Sequence, residues 1–335
     1  MTQQEALKTE ESITLIKDHF SAKLCKELNL VKVSSPLAVL DGTGINDDLN
    51  GIERPVSFPI KALQERIGVV VHSLAKWKRL RLKELGIEVE KGILTDMRAL
   101  RPDEDYTPLH SIYVDQWDWE KHMNESNRTL DYLKNTVKGI YRALVETEKE
   151  VEANYPAIKA ILPNEITFIH SEELLKMYPT LSPKERENAI VEKHGAIFLM
   201  GIGGKLSDGT IHDGRAADYD DWSSKNSDGF SGLNGDILLW HPTLKCSFEV
   251  SSMGIRVNKE ALERQLKEKD CEDRSTLLFH NMLLTGQLPQ SIGGGIGQSR
   301  VCMFMLKKTH IGEVQVSIWG EEVKEQLAKE GINLL

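Results

Sequence analysis

The sequence predicts an α+β fold, a mostly antiparallel sheet flanked by helices, and three observations carry that prediction. Two long segments place apolar residues at helical spacing. Several shorter segments read as strands, and two of the connections between them read as hairpins, which pair their strands antiparallel.

In chain order, residues 10–28 form the first amphipathic helix, with Ile13, Ile16, Phe20, Leu24 and Leu28 on one face. It leads into a short strand at residues 31–35, stopped by Pro36. Around residue 80, Lys76, Lys78, Arg79, Arg81 and Lys83 read as a solvated helix face, with Leu74, Trp77 and Leu85 turned to the core. Strands follow at residues 93–101 and 110–118, joined by the acidic loop 102–109. With the turn centred on that loop, Arg101 shares a face with Gln116 and Asp118. An arginine, an amide and a carboxylate on one surface suit a zwitterion and a phosphate; a surface salt bridge from Arg101 to the acidic loop accounts for the arginine alone. A second long helix spans residues 128–154, with Leu130, Leu133, Val137, Ile140 and Leu144 in register. Residues 196–201 read as a strand, and residues 236–240 and 246–257 as a hairpin.

That last hairpin carries the clearest chemistry. With its turn centred between Pro242 and Thr243, Ile237 faces Phe248, Leu239 faces Cys246, and Asp236 stands opposite Glu249, with Ser251 two residues further on. Facing carboxylates repel across a sheet. A pair kept there reads as a site for a hard cation such as Mg²⁺, held by one or two carboxylates plus nucleotide phosphates. A register slipped by one residue, or two solvated acids, reads the same residues without a metal.

Toward the C-terminus runs Gly293-Gly294-Gly295-Ile296-Gly297-Gln298-Ser299-Arg300, followed by the apolar, helix-like residues 301–306. Glycines let a backbone pass close to a ligand, and arginine offers a planar fork for phosphate oxygens. The segment is neither a Walker A loop nor a dinucleotide fingerprint. Around Gly204-Lys205 the required earlier glycine is Leu199 and the following residue is Leu206, and Arg300 stands where the dinucleotide pattern needs its third glycine.

Composition sets the frame. The 335 residues are 40% hydrophobic and 28% charged, as in ordinary soluble globular chains. No repeat, low-complexity tract or linker divides them, so residues 1–335 read as a single domain. The polar start lacks a signal-peptide core, the apolar runs are too short to span a bilayer, and the four scattered cysteines lack metal-ligand spacing. A cytoplasmic location without membrane attachment is the expectation. A net charge of −9 argues against an extended nucleic-acid surface.

The chain resembles class II aminoacyl-tRNA synthetase catalytic cores, and more closely the ammonia-dependent asparagine synthetases, also called aspartate–ammonia ligases. The stretches that carry the resemblance are Val71-His72-Ser73-Leu74-Ala75-Lys76-Trp77-Lys78-Arg79, Ala99-Leu100-Arg101-Pro102-Asp103-Glu104-Asp105, Tyr113-Val114-Asp115-Gln116-Trp117-Asp118-Trp119-Glu120, Gly201-Ile202-Gly203-Gly204-Lys205-Leu206-Ser207-Asp208-Gly209, Asp218-Tyr219-Asp220-Asp221-Trp222, Ser251-Ser252-Met253-Gly254-Ile255-Arg256 and the glycine segment. Together they reach across the whole chain.

The resemblance implies a homodimer built through residues 1–36 and an ATP-dependent enzyme that makes L-asparagine from L-aspartate and ammonia through β-aspartyl-AMP, releasing AMP and pyrophosphate. It implies Arg101 over the α-phosphate, Arg300 on the γ-phosphate side, Asp236 with Glu249 on Mg²⁺, and Asp220 with the Gly293, Gly294 and Gly295 backbone beside the nucleotide. For aspartate it implies Lys78, Gln116 and Arg256 as carboxylate partners, Asp47 and Asp118 near the amino group, and Ser73 and Ser251 as smaller contacts. Ammonia at neutral pH is largely ammonium, so a carboxylate must take a proton before attack. Asp47, in the glycine- and acid-rich residues 41–51, fits that role as part of a mobile loop that closes over the pocket. Asp47 and Asp48 are not distinguished, and turn chemistry explains the same residues. Two other readings stand beside this one: a tRNA-dependent aspartyl or asparaginyl synthetase core, and a synthetase-like regulator without chemistry.

Overall fold

The computed structural model describes residues 2–47, 49 and 53–335. The first half contains α1 (Gln3–Leu28), β1 (Leu30–Lys32), β2 (Ala38–Leu40), β3 (Ser57–Ile60), β4 (Arg66–Val70), α2 (Ala75–Glu84), β5 (Gly92–Leu100), β6 (Tyr113–His122) and α3 (Leu130–Asn154). The second contains β7 (Thr167–His170), α4 (Ser171–Met177), α5 (Pro183–His194), β8 (Ala196–Met200), β9 (Asn234–His241), β10 (Cys246–Ile255), α6 (Lys259–Glu268), α7 (Leu278–Leu284), β11 (Ser291–Gly297), α8 (Gln298–Met305) and α9 (Glu321–Lys329).

Eight strands form one sheet in the order β1-β5-β6-β11-β10-β9-β8-β7. Only its outer pairs, β1 with β5 and β7 with β8, run parallel. The predicted α+β class and the mostly antiparallel sheet are therefore observed. A separate three-stranded sheet has the order β2-β4-β3.

All five apolar residues predicted for the first helix are buried. The helix starts earlier than its apolar pattern because Thr2 and Glu5 form a capping box. The second long helix starts at Leu130, capped by Thr129. Arg128, predicted inside it, instead donates to the Arg256 carbonyl at 2.6 Å and to Asp221 at 2.5 Å. α1, α3 and α8 pack on one face of the sheet, where Phe20 meets Trp117 with ring centroids 4.6 Å apart. The opposite face of the central strands carries the polar residues.

α2 departs from the predicted solvated face. Lys76 and Arg79 are buried, as is Lys78, the one cation of the five that the resemblance assigns to the pocket, whereas Leu85 is 40% exposed and not part of the core. Each buried cation has a specific partner. Lys76 pairs with Asp218 at 2.9 Å, Lys78 with Asp118 at 2.5 Å, and Arg79 donates to the Pro289 and Val257 carbonyls. Those partners lie more than a hundred residues away for Lys76 and Arg79, beyond anything helical periodicity can register.

In the first hairpin the strands pair Met97 with Gln116 and Thr95 with Asp118. Arg101, four residues beyond Met97, therefore shares the face of Gln116 and Asp118, as predicted. The second hairpin differs. Its loop is the four residues 242–245, closed by a bond from the Lys245 amide to the His241 carbonyl at 2.8 Å with Lys245 at φ 52°. The register therefore slips by two residues: Phe248 faces Leu239 and Glu249 faces Leu238. A two-residue slip leaves every side chain on its predicted face. A bulge between Glu249 and Ser251 adds one more residue, which does change a face. Asp236 now stands opposite Ser252, and Ser251 opposite Ile237.

Candidate active site

A cleft of about 280 Å³ opens over β6, β10 and β11, beside α2. Every described site residue expected from the sequence borders it except Gly293 and Asp236. Asp48 lies outside the described residues.

Two arginines mark one end. Arg101 donates to the His72 carbonyl at 3.2 Å and has the Glu104 carboxylate 4.0 Å away. Arg300 donates to the Glu249 carbonyl at 2.9 Å and to His110 Nε2 at 2.7 Å. An arginine can only donate, so His110 Nε2 holds a lone pair, and its Nδ1–H donates to Thr107 Oγ1 at 2.8 Å. Burial, then Arg300 and Arg101, push the His110 pKa from 6.5 down to about 4. Between those values the unfolded chain binds a proton here and the folded protein does not, so stability falls as pH drops from 6.5 toward 4. Replacing His110 by Gln should flatten that part of a melting-temperature-against-pH curve. An unchanged slope would show that His110 does not contribute.

The other end is a buried charge network. Lys78 donates to Asp118 at 2.5 Å and to the Gly294 carbonyl at 2.8 Å, and burial pushes its pKa down against the pull of Asp118. Arg256 grips Glu120 with Nε at 3.1 Å and Nη2 at 2.9 Å, and Asp220 with Nη1 at 2.5 Å. Burial lowers the Arg256 pKa, but the two carboxylates outweigh it and raise it. Ser73 donates to the Asp47 carboxylate at 2.8 Å, and His72 Nδ1 to the Asp47 carbonyl at 3.0 Å. The loop before Asp47 rests on α7 through the Phe279 amide and the Thr43 carbonyl, 3.2 Å apart.

The glycine segment is a strand inside the sheet rather than a loop. A Cβ on Gly293 would lie 1.9 Å from Glu120 Oε2, and one on Gly295 would lie 2.4 Å from Gln116 Oε1. These glycines leave room for the long polar side chains of β6, a role distinct from that of a phosphate loop. Gly294 and Gly295 border the cleft. Ser251 sits beside the bulge. Its cross-strand partners Ile237 and Ile296 belong to the apolar core, yet Ser251 also borders the cleft. Ser252, opposite Asp236 and Gly295, is on the cleft face, because the bulge shifts the strand by one residue.

Asp236 and Glu249 share the cleft face two rungs apart, not directly opposite. Arg215 donates to Asp236 Oδ1. Burial, and then Glu249, push the Asp236 pKa up while Arg215 opposes them. Two carboxylates that repel each other beside Arg215 form an oxygen donor set suited to Mg²⁺ when phosphates complete the shell. Among the described residues no cluster of three or more His, Cys, Asp or Glu forms a larger metal site.

Sequence reasoning missed Arg215, Glu120 and the buried set Lys76, Asp218 and His280, in which Asp218 accepts from both partners at 2.9 Å. Glu120 continues the alternation of Gln116 and Asp118, a signal that could have found it. Arg215 and Asp218 come from the long segment between β8 and β9, which has no periodicity to read.

A family model described as aspartate-ammonia ligase matches residues 7–331. An aspartate–ammonia ligase of Parabacteroides distasonis is 57% identical over 327 residues, covering 98% of this chain and 95% of the relative. One from Clostridium perfringens is 54% identical with the same coverage. Among solved structures, the asparaginyl-tRNA synthetase of Pyrococcus horikoshii bound to asparaginyl-adenylate matches with a TM-score of 0.67 at 13% identity, over 92% of this chain and 68% of that one. The Entamoeba histolytica asparaginyl-tRNA synthetase matches with a TM-score of 0.64 at 13% identity, over 93% and 67%. At that identity the likeness is one of fold, the class II synthetase fold.

Proposed function

The chain belongs to the aspartate–ammonia ligase family, and from that premise we propose that its cleft makes L-asparagine from L-aspartate, ammonia and ATP through β-aspartyl-AMP. The observation that carries this reading is a single cleft with two arginines at one end and a buried Lys78, Asp118 and Arg256 network at the other.

In the first step an oxygen of the aspartate side-chain carboxylate attacks the α-phosphorus and pyrophosphate leaves. One anion attacking another needs preorganised positive charge. Arg101 supplies it at the α-phosphate, and Arg300, steadied by the Glu249 carbonyl and His110, supplies it toward the γ-phosphate. Glu249 and Asp236 would hold Mg²⁺, which when bound neutralises phosphate charge. Asp220 and the backbone of Gly294 and Gly295 flank the nucleotide.

At the amino-acid end Lys78 and Gln116 meet carboxylate oxygens, with Asp118 beside the ammonium and Ser73 as a smaller contact. Arg256 has about five N–H donors. Three are taken by Glu120 and Asp220, leaving two for a substrate carboxylate. In the second step the ammonia nitrogen attacks the acyl carbon, the bond to AMP breaks, and Asp47 takes the proton released. Its neighbours Ser73 and His72 hold it at the cleft wall. No side-chain nucleophile takes part, so rate acceleration comes from positioning and fixed charge.

Residues 1–335 act as one catalytic domain in a cytoplasmic homodimer paired through residues 1–36, with no nucleic-acid partner. No helix among the described residues is long and apolar enough to cross a membrane.

Measuring AMP release from aspartate and ATP tests the reading. AMP formation should require ammonium salts and be indifferent to tRNA. A requirement for tRNA would select a synthetase instead, and tight ligand binding without turnover would select a regulator.

A further inference from the structure

Asp115 lies on the face of β6 opposite Gln116 and Asp118, only 6% exposed, where the sheet meets α1 and α8. Its Oδ1 accepts the backbone N–H of Ser299, in the first turn of α8, at 3.0 Å. Its Oδ2 accepts the Lys17 ammonium of α1 at 3.0 Å. One carboxylate thus joins the long first helix to the residue immediately before Arg300. The start of α8 has further ties. Gln298 donates to Asp96 at 2.8 Å and to the Gln116 carbonyl at 3.3 Å, and Ser299 Oγ accepts from Gln315 at 3.0 Å. A carboxylate at a helix N-terminus is also favoured by the helix dipole.

On the α1 side the pair borders a cavity of about 240 Å³ lined by Lys17, Lys32, Asp96 and Arg98 among others. Met97, Tyr113 and Trp117 line it too, so Asp115 sits where these charged groups meet the apolar core. Asp115 also borders the cleft, so it stands as a wall between cavity and cleft.

We propose that Lys17 and Asp115 are positioning residues for nucleotide binding, fixing the start of α8 so that the Arg300 guanidinium reaches the cleft. Neither touches the reacting atoms. The inference rests on the reading that Arg300 steadies ATP, and the test keeps the two apart.

Steady-state kinetics on the full chain would compare Lys17→Met, Lys17→Arg and Arg300→Ala, together with the Lys17→Met/Arg300→Ala double variant. Lys17→Met should raise KM for ATP on the order of tenfold, the scale expected of a small misplacement of a binding group, while KM for aspartate stays within about twofold. Lys17→Arg keeps the charge and should recover most of the loss. In the Arg300→Ala background Lys17→Met should add nothing, because both act through one guanidinium. Three results overturn the proposal: an unchanged KM for ATP, both Michaelis constants moving together as in a general structural defect, or a Lys17 effect that multiplies that of Arg300→Ala. If Arg300→Ala alone leaves KM for ATP unchanged, the reading of Arg300 itself falls, and this inference with it.

Discussion

Arg101→Ala should reduce ammonium-dependent AMP formation on the order of a thousandfold, the scale seen when a preorganised charge is removed from a developing anion. The geometry locates the loss in chemistry rather than in folding. Arg101 retains 21% side-chain exposure, and its nearest partners are a carbonyl at 3.2 Å and a carboxylate at 4.0 Å. Neither is a core contact, so the melting temperature should change little. Arg101→Lys should restore only part of the rate, since an ammonium is a point charge without the two-pronged fork. Because attack on phosphorus is the step at stake, the deficit should fall mainly on kcat rather than on KM for aspartate. AMP release beside a melting curve decides it. An alanine variant with more than about a tenth of the normal rate would remove Arg101 from the α-phosphate, since preorganised charge there is worth at least about a hundredfold.

How much of this is legible in the sequence depends on the physical range of each signal. The α1 stripe from Ile13 to Leu28 was readable because a helix facing a core repeats its apolar residues locally. The strand faces were readable for a different reason. Side chains alternate with a period of two, so Arg101, Gln116 and Asp118 fall together, and a two-residue slip in the second hairpin changed no face. The bulge after Glu249 was not readable, since nothing local distinguishes Val250 from its neighbours, and it sets Ser251 opposite Ile237 of the apolar core. The buried cations of α2 failed for a related reason. Lys76, Lys78 and Arg79 look like a solvated face until Asp218, Asp118 and the carbonyls of Val257 and Pro289 arrive from distant chain.

The glycine segment combines both lessons. Gly294, Gly295 and Gly297 border the cleft, but the chemical reason for the glycines lies in the strand beside them. β6 places Glu120 and Gln116 against Gly293 and Gly295, and side chains that long fit only where the neighbouring strand has none. A glycine run next to an alternating polar strand therefore marks a space for buried polar side chains as readily as a path for phosphate.

The space between β6 and β11 makes Gly293→Ala a strongly destabilising substitution. The added methyl would lie 1.9 Å from Glu120 Oε2 and 2.6 Å from Arg256 Nη2, so something must move. Glu120 is fully buried, with its oxygens already held by Arg256 and by Ser291 at 2.7 Å. It has no solvent to retreat into. Overpacking costs about 1–3 kcal/mol, and parting a buried ion pair costs about 3–5 kcal/mol. Since one displacement causes both, a loss of about 3–5 kcal/mol in unfolding free energy is expected. Arg256 would lose the partner that aims it, so KM for aspartate should rise more than KM for ATP in whatever protein folds. Gly297→Ala provides the contrast. Its nearest neighbours are the Arg300 Cβ at 3.2 Å and Cγ at 3.4 Å, the start of a flexible side chain, and the loss should stay near 1 kcal/mol. Adding Glu120→Asp to Gly293→Ala shortens the acid by one methylene and should return part of the stability, whereas Glu120→Asp alone should be destabilising. Denaturant unfolding of the four variants settles the matter: if Gly293→Ala costs no more than Gly297→Ala, the close approach of β6 and β11 does not hold Arg256 in place.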